Sequence, residues 1–253
     1  MANNRNKIVA IIQARMGSTR LPGKVLMEVD GVPLLERMLS RVKKSKLVDN
    51  IIIATSILPD DNRIEKFCQK NGYECFRGSE NDVLARYYKC AKKYNADVIV
   101  RLTADCPLID PQIIDKVINY YIEKNVDYSA NTVPPEKSTF PDGSDVEVFS
   151  MNALENANTN VKDLIDREHV TFYFWKYKNG FKTGQITLKE DWSKYRITVD
   201  YPEDLEVVSF IIKELNKRKS FGYLEEIVDI INTNPDIEAK NSMYYSGIGW
   251  EQS

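Results

Sequence analysis

The sequence predicts an α/β protein built on a doubly wound, mostly parallel sheet, and three observations carry that expectation. Apolar, β-branched runs such as Ile8–Ile12 and Ile51–Thr55 are short and do not alternate with polar residues, which marks strands covered on both faces. Between such runs lie stretches of roughly ten residues with apolar positions three and four apart, the spacing of amphipathic helices. The first run empties into a turn-rich cationic loop, and open α/β sheets take up ligands at the carboxyl ends of their strands.

Taken in order, Ile8–Ile12 is the first strand, and the loop after it carries Gly17, Ser18, Pro22 and Gly23 together with Arg15, Arg20 and Lys24. Val25–Val29 is an extended piece that ends at the Asp30-Gly31 turn. Pro33 opens a helix with Leu34, Leu35, Met38, Leu39 and Val42 on one face, and Lys43, Lys44 and Lys46 suit its carboxyl end. Ile51–Thr55 is the second strand. Asp60, Asp61 and Asn62 start a helix that runs through Lys70 and closes at Asn71-Gly72. Glu74–Phe76 is the third strand, followed by a helix that turns Val83, Leu84, Tyr87, Tyr88 and Ala91 inward. Asp97–Leu102 is the fourth strand, and Asp110-Pro111 opens a helix through Glu123. This alternation makes residues 7–131 a set of βαβ units.

Beyond residue 131 the pattern changes. Val133-Pro134-Pro135 and Pro141-Asp142-Gly143 are turns, and Asp145–Phe149 alternates charged with apolar residues, as a strand with one polar face does. Met151–Asn158 reads as a short helix and Asp166–Lys178 as one aromatic-rich helix. Phe181–Leu188 and Arg196–Val199 are strand-like. Pro202 begins a long helix, Phe221–Ile231 is a last amphipathic helix, and the residues from Pro235 read as a tail.

Composition narrows the class of function. The 253 residues, 43% apolar and 28% charged, suit one globular domain over 1–253. A formal net charge of -2 offers no field to collect nucleic acid, so a polyanion must be gripped locally. No apolar run approaches the ~20 residues of a membrane span. The opening residues lack the apolar core of a signal peptide, and a cytoplasmic protein is expected. Cys68, Cys75, Cys90 and Cys106 form no CxxC pair and His169 is the sole histidine, so the thiols are expected reduced and packed rather than holding zinc.

The cationic loop is the first candidate for chemistry. Glycine lets a phosphate approach backbone amides, arginine offers a planar fork to its oxygens, and lysine a mobile charge. It is neither a Walker loop nor a dinucleotide fingerprint, because the glycines are wrongly spaced for both.

The segment IIQARMGSTRLPGK resembles the signature loop of the sugar nucleotidyltransferases that make CMP-activated sugars, and the likeness continues through Arg77-Gly78-Ser79, Leu102–Leu108 and Val199–Asp204. It is most similar to the spore-coat polysaccharide cytidylyltransferase-like proteins and more distantly to the CMP-Kdo and CMP-acylneuraminate synthetases. The resemblance implies a Rossmann-like, GT-A-like nucleotidyltransferase fold. In it residues 7–131 are the nucleotide-binding half, 132–195 a smaller β-containing substrate and dimerisation part, and 196–253 a returning strand and helices. It implies transfer of CMP from CTP to a sugar, sugar acid or sugar phosphate with release of pyrophosphate, for surface polysaccharide biosynthesis, by a homodimer that needs magnesium (Mg2+).

The same resemblance assigns residues. Ala14, Arg15, Gly17, Ser18 and Lys24 would wrap the triphosphate, with Arg15, Lys24 and Asp105 catalytic. Arg77 and Ser79 would lie near cytosine and ribose, with Thr103 close by. Asp105 and Asp200 would bind the metal. Asp145, Glu147, Arg167 and His169 would face the sugar. The Kdo enzymes carry Gln-Gly-Asp-Glu-Pro where this chain has Thr103-Ala104-Asp105-Cys106-Pro107, which keeps the metal aspartate and leaves base and sugar preference open.

Read by themselves, these residues have plainer roles. Asp200 and Ser79 are also placed to cap helices, Asp105 to make a turn, Asp145 and Glu147 to form a solvent-facing strand edge, and His169 to hydrogen-bond structurally. Two other functions stay open: a glycosyltransferase that uses a sugar nucleotide, and a nucleotide-binding protein without turnover.

Overall fold

The β-branched runs pair as parallel neighbours at the centre of a seven-stranded sheet. In the computed structural model, which describes residues 6–177 and 179–244, β1 (Ile8–Gln13) is followed by a small hairpin, β2 (Glu28–Val29) and β3 (Val32–Pro33). The remaining strands are β4 (Asn50–Ser56), β5 (Glu74–Gly78), β6 (Val98–Thr103), β7 (Tyr128–Ala130), β8 (Glu147–Ser150) and β9 (Thr183–Gln185). The large sheet runs in the order β5-β4-β1-β6-β8-β7-β9. Only β8 opposes the others, pairing antiparallel with β6 and with β7.

The helices are α1 (Leu34–Val42), α2 (Asn62–Asn71), α3 (Val83–Lys93), α4 (Pro111–Lys124), α5 (Met151–Asn160), α6 (Leu164–His169), α7 (Phe172–Trp175), α8 (Pro202–Arg218), α9 (Leu224–Asn232) and α10 (Pro235–Asn241). They cover both faces of the sheet, which explains the non-alternating strand sequences. Successive β1 residues point to opposite faces. Ala10 and Ile12 join Leu35, Met38, Ile114 and Val208 in one core, while Val9 and Ile11 join Leu84, Tyr87, Leu154 and Phe174 in the other. A buried guanidinium ties the first core together: Arg41 donates to the carbonyls of Ile109, Phe221 and Gly222 at 2.5–2.7 Å and stacks on the Phe221 ring. Burial pulls its pKa down to about 10.

Several expectations change in the second half. The aromatic stretch is two helices, because the chain turns at buried Val170, whose φ is 63°. One straight helix would not send Phe172 and Phe174 into the core and also leave Glu168 and His169 at the cleft. Phe181–Leu188 contributes only the three residues of β9. Arg196–Val199 joins no ladder and makes a single bridge, Asp142 to Arg196. It runs past the end of the sheet, where Val199 N–H donates to the Asp105 carbonyl at 2.8 Å and Ile197 N–H to the Asp142 carbonyl at 2.7 Å. The polar strand begins at Glu147, not Asp145. Of the residues expected as a tail, Pro235–Asn241 form α10, whose Asn241 is buried, so that part belongs to the packed body, and 245–253 lie outside the described residues. Among the described residues no helix is long and apolar enough to cross a membrane.

Gly143 lies where the two crossing segments meet. Its φ is 101°, and a Cβ there would stand 2.2 Å from the Thr198 nitrogen. Gly143→Ala should therefore cost about 3 kcal/mol or more. In a chain of this size that lowers the thermal midpoint by roughly 6–12 °C, and calorimetry of the variant checks it.

Candidate active site

Strands β1 and β6 are parallel neighbours, and Gln13 and Thr103 are in register at their carboxyl ends. The loops that leave them therefore emerge side by side. The loop after β1 is folded by its own backbone: Gly23 and Ser18 N–H groups donate to the Met16 carbonyl, and Met16 N–H donates to buried Asp61 at 2.7 Å. Gly23 takes a left-handed conformation (φ 73°) and leads into a 3-10 turn over Lys24–Leu26, which turns Lys24 inward.

The Lys24 ammonium stands between two carboxylates. Its Nζ lies 2.6 Å from Asp200 Oδ1 and 3.2 Å from Asp105 Oδ2. Burial alone would lower the lysine's pKa, but the two aspartates outweigh it and hold it above the ordinary value. Asp200 also forms an ion pair with Arg20 and accepts from Arg196, each at 3.1 Å. Burial works against its charge, yet Lys24, Arg20 and Arg196 keep its carboxyl well below the usual range.

Arg196 is the second organiser. Its guanidinium is only 4% exposed and reaches Asp142, Asp200 and Asp204 at once. One positive charge shared among three carboxylates cannot stabilise all of them fully. Asp142 bears the deficit: burial and the neighbouring Asp145 raise its pKa to about 7. Asp145 is raised too, by burial first, although it accepts from Thr132 Oγ1 at 2.7 Å and Gly143 N–H at 2.8 Å.

The far wall holds a third charged group. Arg101, on β6, pairs with Glu147 across the ladder, and Tyr128 donates to the same carboxylate. Arg101 Nη2 also meets Gln13 Oε1 at 3.3 Å. His169 stacks on Phe172, and burial together with Arg101 lowers its pKa, which favours the neutral ring. Burial raises the Cys106 thiol well above its usual value, so it lines the cleft as a neutral group.

These residues enclose a cleft of ≈ 330 Å³. Ala14, Arg15, Ser18, Lys24, Thr103, Asp105, Asp145, Glu147, His169 and Asp200 line it, ten of the fourteen residues expected at a site. Gly17, Arg77, Ser79 and Arg167 do not. The Arg77 guanidinium is taken up by the Ser56 and Leu58 carbonyls, Asn62 and Glu65. Ser79 Oγ accepts from Asp82 N–H, and Arg167 binds Asp82, Asn158 and the Val161 carbonyl. Arg101, Asp142 and Arg196 line the cleft without having been assigned to it. Arg101 left a trace in the sequence, since a charge inside a buried strand must find a partner. The triple use of Arg196 was harder to see: Asp200 and Asp204 lie four and eight residues on, but Asp142 is 54 residues away and meets it only when the chain crosses itself.

The profile of the cytidylyltransferase family matches residues 9–248. The chain belongs to that family. This cytidylyltransferase is 35% identical over 239 residues to the spore coat polysaccharide biosynthesis protein SpsF of Bacillus subtilis, covering 91% of this chain and 96% of that one. It is 32% identical over 170 residues to a 3-deoxy-manno-octulosonate cytidylyltransferase of Chloroherpeton thalassium, covering 66% and 63% of the two chains. Among solved structures, a cytidylyltransferase from Leptospira borgpetersenii superposes with a TM-score of 0.84 at 37% identity, covering 92% of this chain and 96% of that one. A CMP:2-keto-3-deoxy-manno-octonic acid synthetase complexed with CTP shares the fold, at a TM-score of 0.61 and 19% identity over 82% of this chain and 99% of that one. The cytidylyltransferase is thus a nucleotidyltransferase, and its mostly parallel sheet fits that family's fold.

The charge deficit at Asp142 has a consequence for pH dependence. In the unfolded chain its pKa is near 3.8, and in the fold it is about 7. Its contribution to stability is complete below the unfolded value and is lost as pH rises toward the folded one. Asp142→Asn removes that loss, so the variant's melting temperature should gain on the parent's between about pH 4 and 7 and hold a constant difference above. Melting curves of both proteins across that range test it.

Proposed function

We propose that this cytidylyltransferase transfers CMP from CTP to an oxygen of a sugar or sugar acid and releases pyrophosphate. The observation that carries the reading is the meeting of Lys24 with Asp105 and Asp200, from three distant parts of the chain, in a cleft walled by further arginines. In-line displacement at phosphorus asks for alignment and charge neutralisation more than for a covalent intermediate. The acceptor oxygen bonds to the α-phosphorus while the bond to the β-phosphate oxygen breaks. Arg15, 47% exposed at its side chain, and Ser18 stand ready to receive phosphate oxygens. Lys24 neutralises charge on the departing pyrophosphate. The wall formed by Asp145, Glu147 and His169 faces the acceptor.

The donor set fits magnesium. Two carboxylates whose oxygens lie within 3.2 Å of one ammonium already hold a cation between them. Among the described residues no group of three or more His, Cys, Asp or Glu could hold a metal. A magnesium ion asks for no more than one or two carboxylates, with waters and substrate phosphates completing its shell. Asp105 and Asp200 would hold it, and when bound it would neutralise the phosphate oxygens.

Pyrophosphate release from CTP with magnesium, measured across acidic and amino sugars, tests the reading. CTP at 100 times its dissociation constant should add about 2.7 kcal/mol to stability. Lys24→Ala and Asp105→Asn should each lower turnover by about 10²–10³-fold, with the fold retained because Arg20 and Arg196 still neutralise Asp200. Turnover near the parent's in either variant overturns that residue's role, and release of nucleoside diphosphate from a sugar nucleotide, in place of pyrophosphate from CTP, overturns the reaction.

A further inference from the structure

Helix α10 places Asn241 directly behind the Arg196–Asp200 pair. Asn241 is 3% exposed, and its Nδ2 donates to Asp204 Oδ1 at 2.9 Å and to the Arg196 carbonyl at 3.1 Å. Asp204 is wholly buried and passes the constraint forward. Its Oδ1 accepts from Arg196 Nε at 2.9 Å, and its Oδ2 accepts from Arg196 Nη2 at 3.0 Å and from the Asp200 and Tyr201 backbone N–H groups at 2.9 and 3.0 Å. Arg196 Nη2 then holds Asp200 Oδ2 at 3.1 Å. The other oxygen of Asp200 is left toward the cleft, where Lys24 and Arg20 meet it. Two stacked rings brace the same segment from outside: Tyr244, just past α10, lies 3.9 Å from Tyr201 and parallel to it within 2°.

We propose that Asn241 is a positioning residue for the phosphate and cation end of the cleft, acting through Asp204 and Arg196 to fix which oxygen of Asp200 faces the ligand. This rests on the reading of Asp200 as a carboxylate that meets the cation and triphosphate. Without the Nδ2 donor, Asp204 loses its hydrogen bond to α10. Its carboxylate keeps Arg196 and the Asp200 and Tyr201 N–H groups, but Oδ1 is left with one donor in place of two, and the Arg196 fork and the Asp200 turn shift with it. Asn241 contacts neither the cleft nor its ligands, so its effect is transmitted. A direct partner that orients a ligating side chain changes ion affinity by about 10–100-fold when removed, and Asn241, one link further back, is expected at the low end of that range.

The test is Mn2+ binding in the presence of CTP, read by the electron spin resonance of free Mn2+, together with the melting temperature of the protein alone. Asn241→Leu keeps the branched shape of the side chain and removes both donated bonds. It should weaken Mn2+ binding by about tenfold or more and lower turnover at limiting metal, with the loss partly recovered at high metal concentration. A residue that only supports the fold would lower the melting temperature and leave the folded fraction's affinity for Mn2+ unchanged. A folded Asn241→Leu that binds Mn2+ within twofold of the parent overturns the proposal. If that variant does not fold, Asn241→Ala, which removes both donated bonds with a smaller side chain, decides by the same criterion. Asp200→Ala separates the two levels: if it leaves Mn2+ binding intact, the reading of Asp200 itself fails. If it abolishes binding while Asn241→Leu binds Mn2+ within twofold of the parent, only the role of Asn241 fails.

Discussion

One ammonium group holds this molecule's chemistry in place. Lys24 is separated by 81 residues from Asp105 and by 176 from Asp200, and its charge is what lets the two carboxylates approach in a largely buried cleft. Without a cation between them, both would be partly desolvated and would repel each other. The rest of the fold can be read as the apparatus that brings these three groups to one point. The parallel pairing of β1 and β6 aligns the two loops, Gly23 turns the lysine inward, and the crossing of Arg196–Val199 beneath the Asp105 loop delivers the second aspartate.

The arginines extend the same balance outward. Arg20, Arg101 and Arg196 are each matched to carboxylates, so the cleft stores both signs of charge in close array. A ligand that brings phosphates and a divalent cation adds both signs too. It can exchange partners with the cleft without leaving a buried charge unpaired, which is the arrangement a nucleotidyl transfer site requires.

Much of this was legible in the chain itself. The parallel half is spelled out by β-branched runs and by helices with their caps, such as Asp82 accepting from Ala85 N–H and Asp110 from Gln112 N–H. Local rules decide those elements, and they failed where long-range contacts take over. Arg196–Val199 reads as a strand by propensity, but its hydrogen bonds go to the Asp142 and Asp105 segments rather than to a ladder. The aromatic stretch reads as one helix, but Val170 breaks it so that core and cleft are both served. Arg77 and Arg167 resemble ligand-binding arginines in sequence, yet nearby carbonyls and carboxylates engage them first. α10 is short and carries little apolar pattern, so the burial of Asn241 was invisible until its partners were in place.

The single reversed strand, β8, has an effect beyond its place in the sheet. Because it opposes β6, its starting end lies at the edge where β1 and β6 finish, and the residues that lead into it, Asp142 to Glu147, stand along the cleft. Lengthening or redrawing that approach would reshape one wall while leaving the parallel register of β4, β1 and β6 untouched. The architecture thus separates two heritable variables, the outline of one side of the groove and the register of the strands that carry the other.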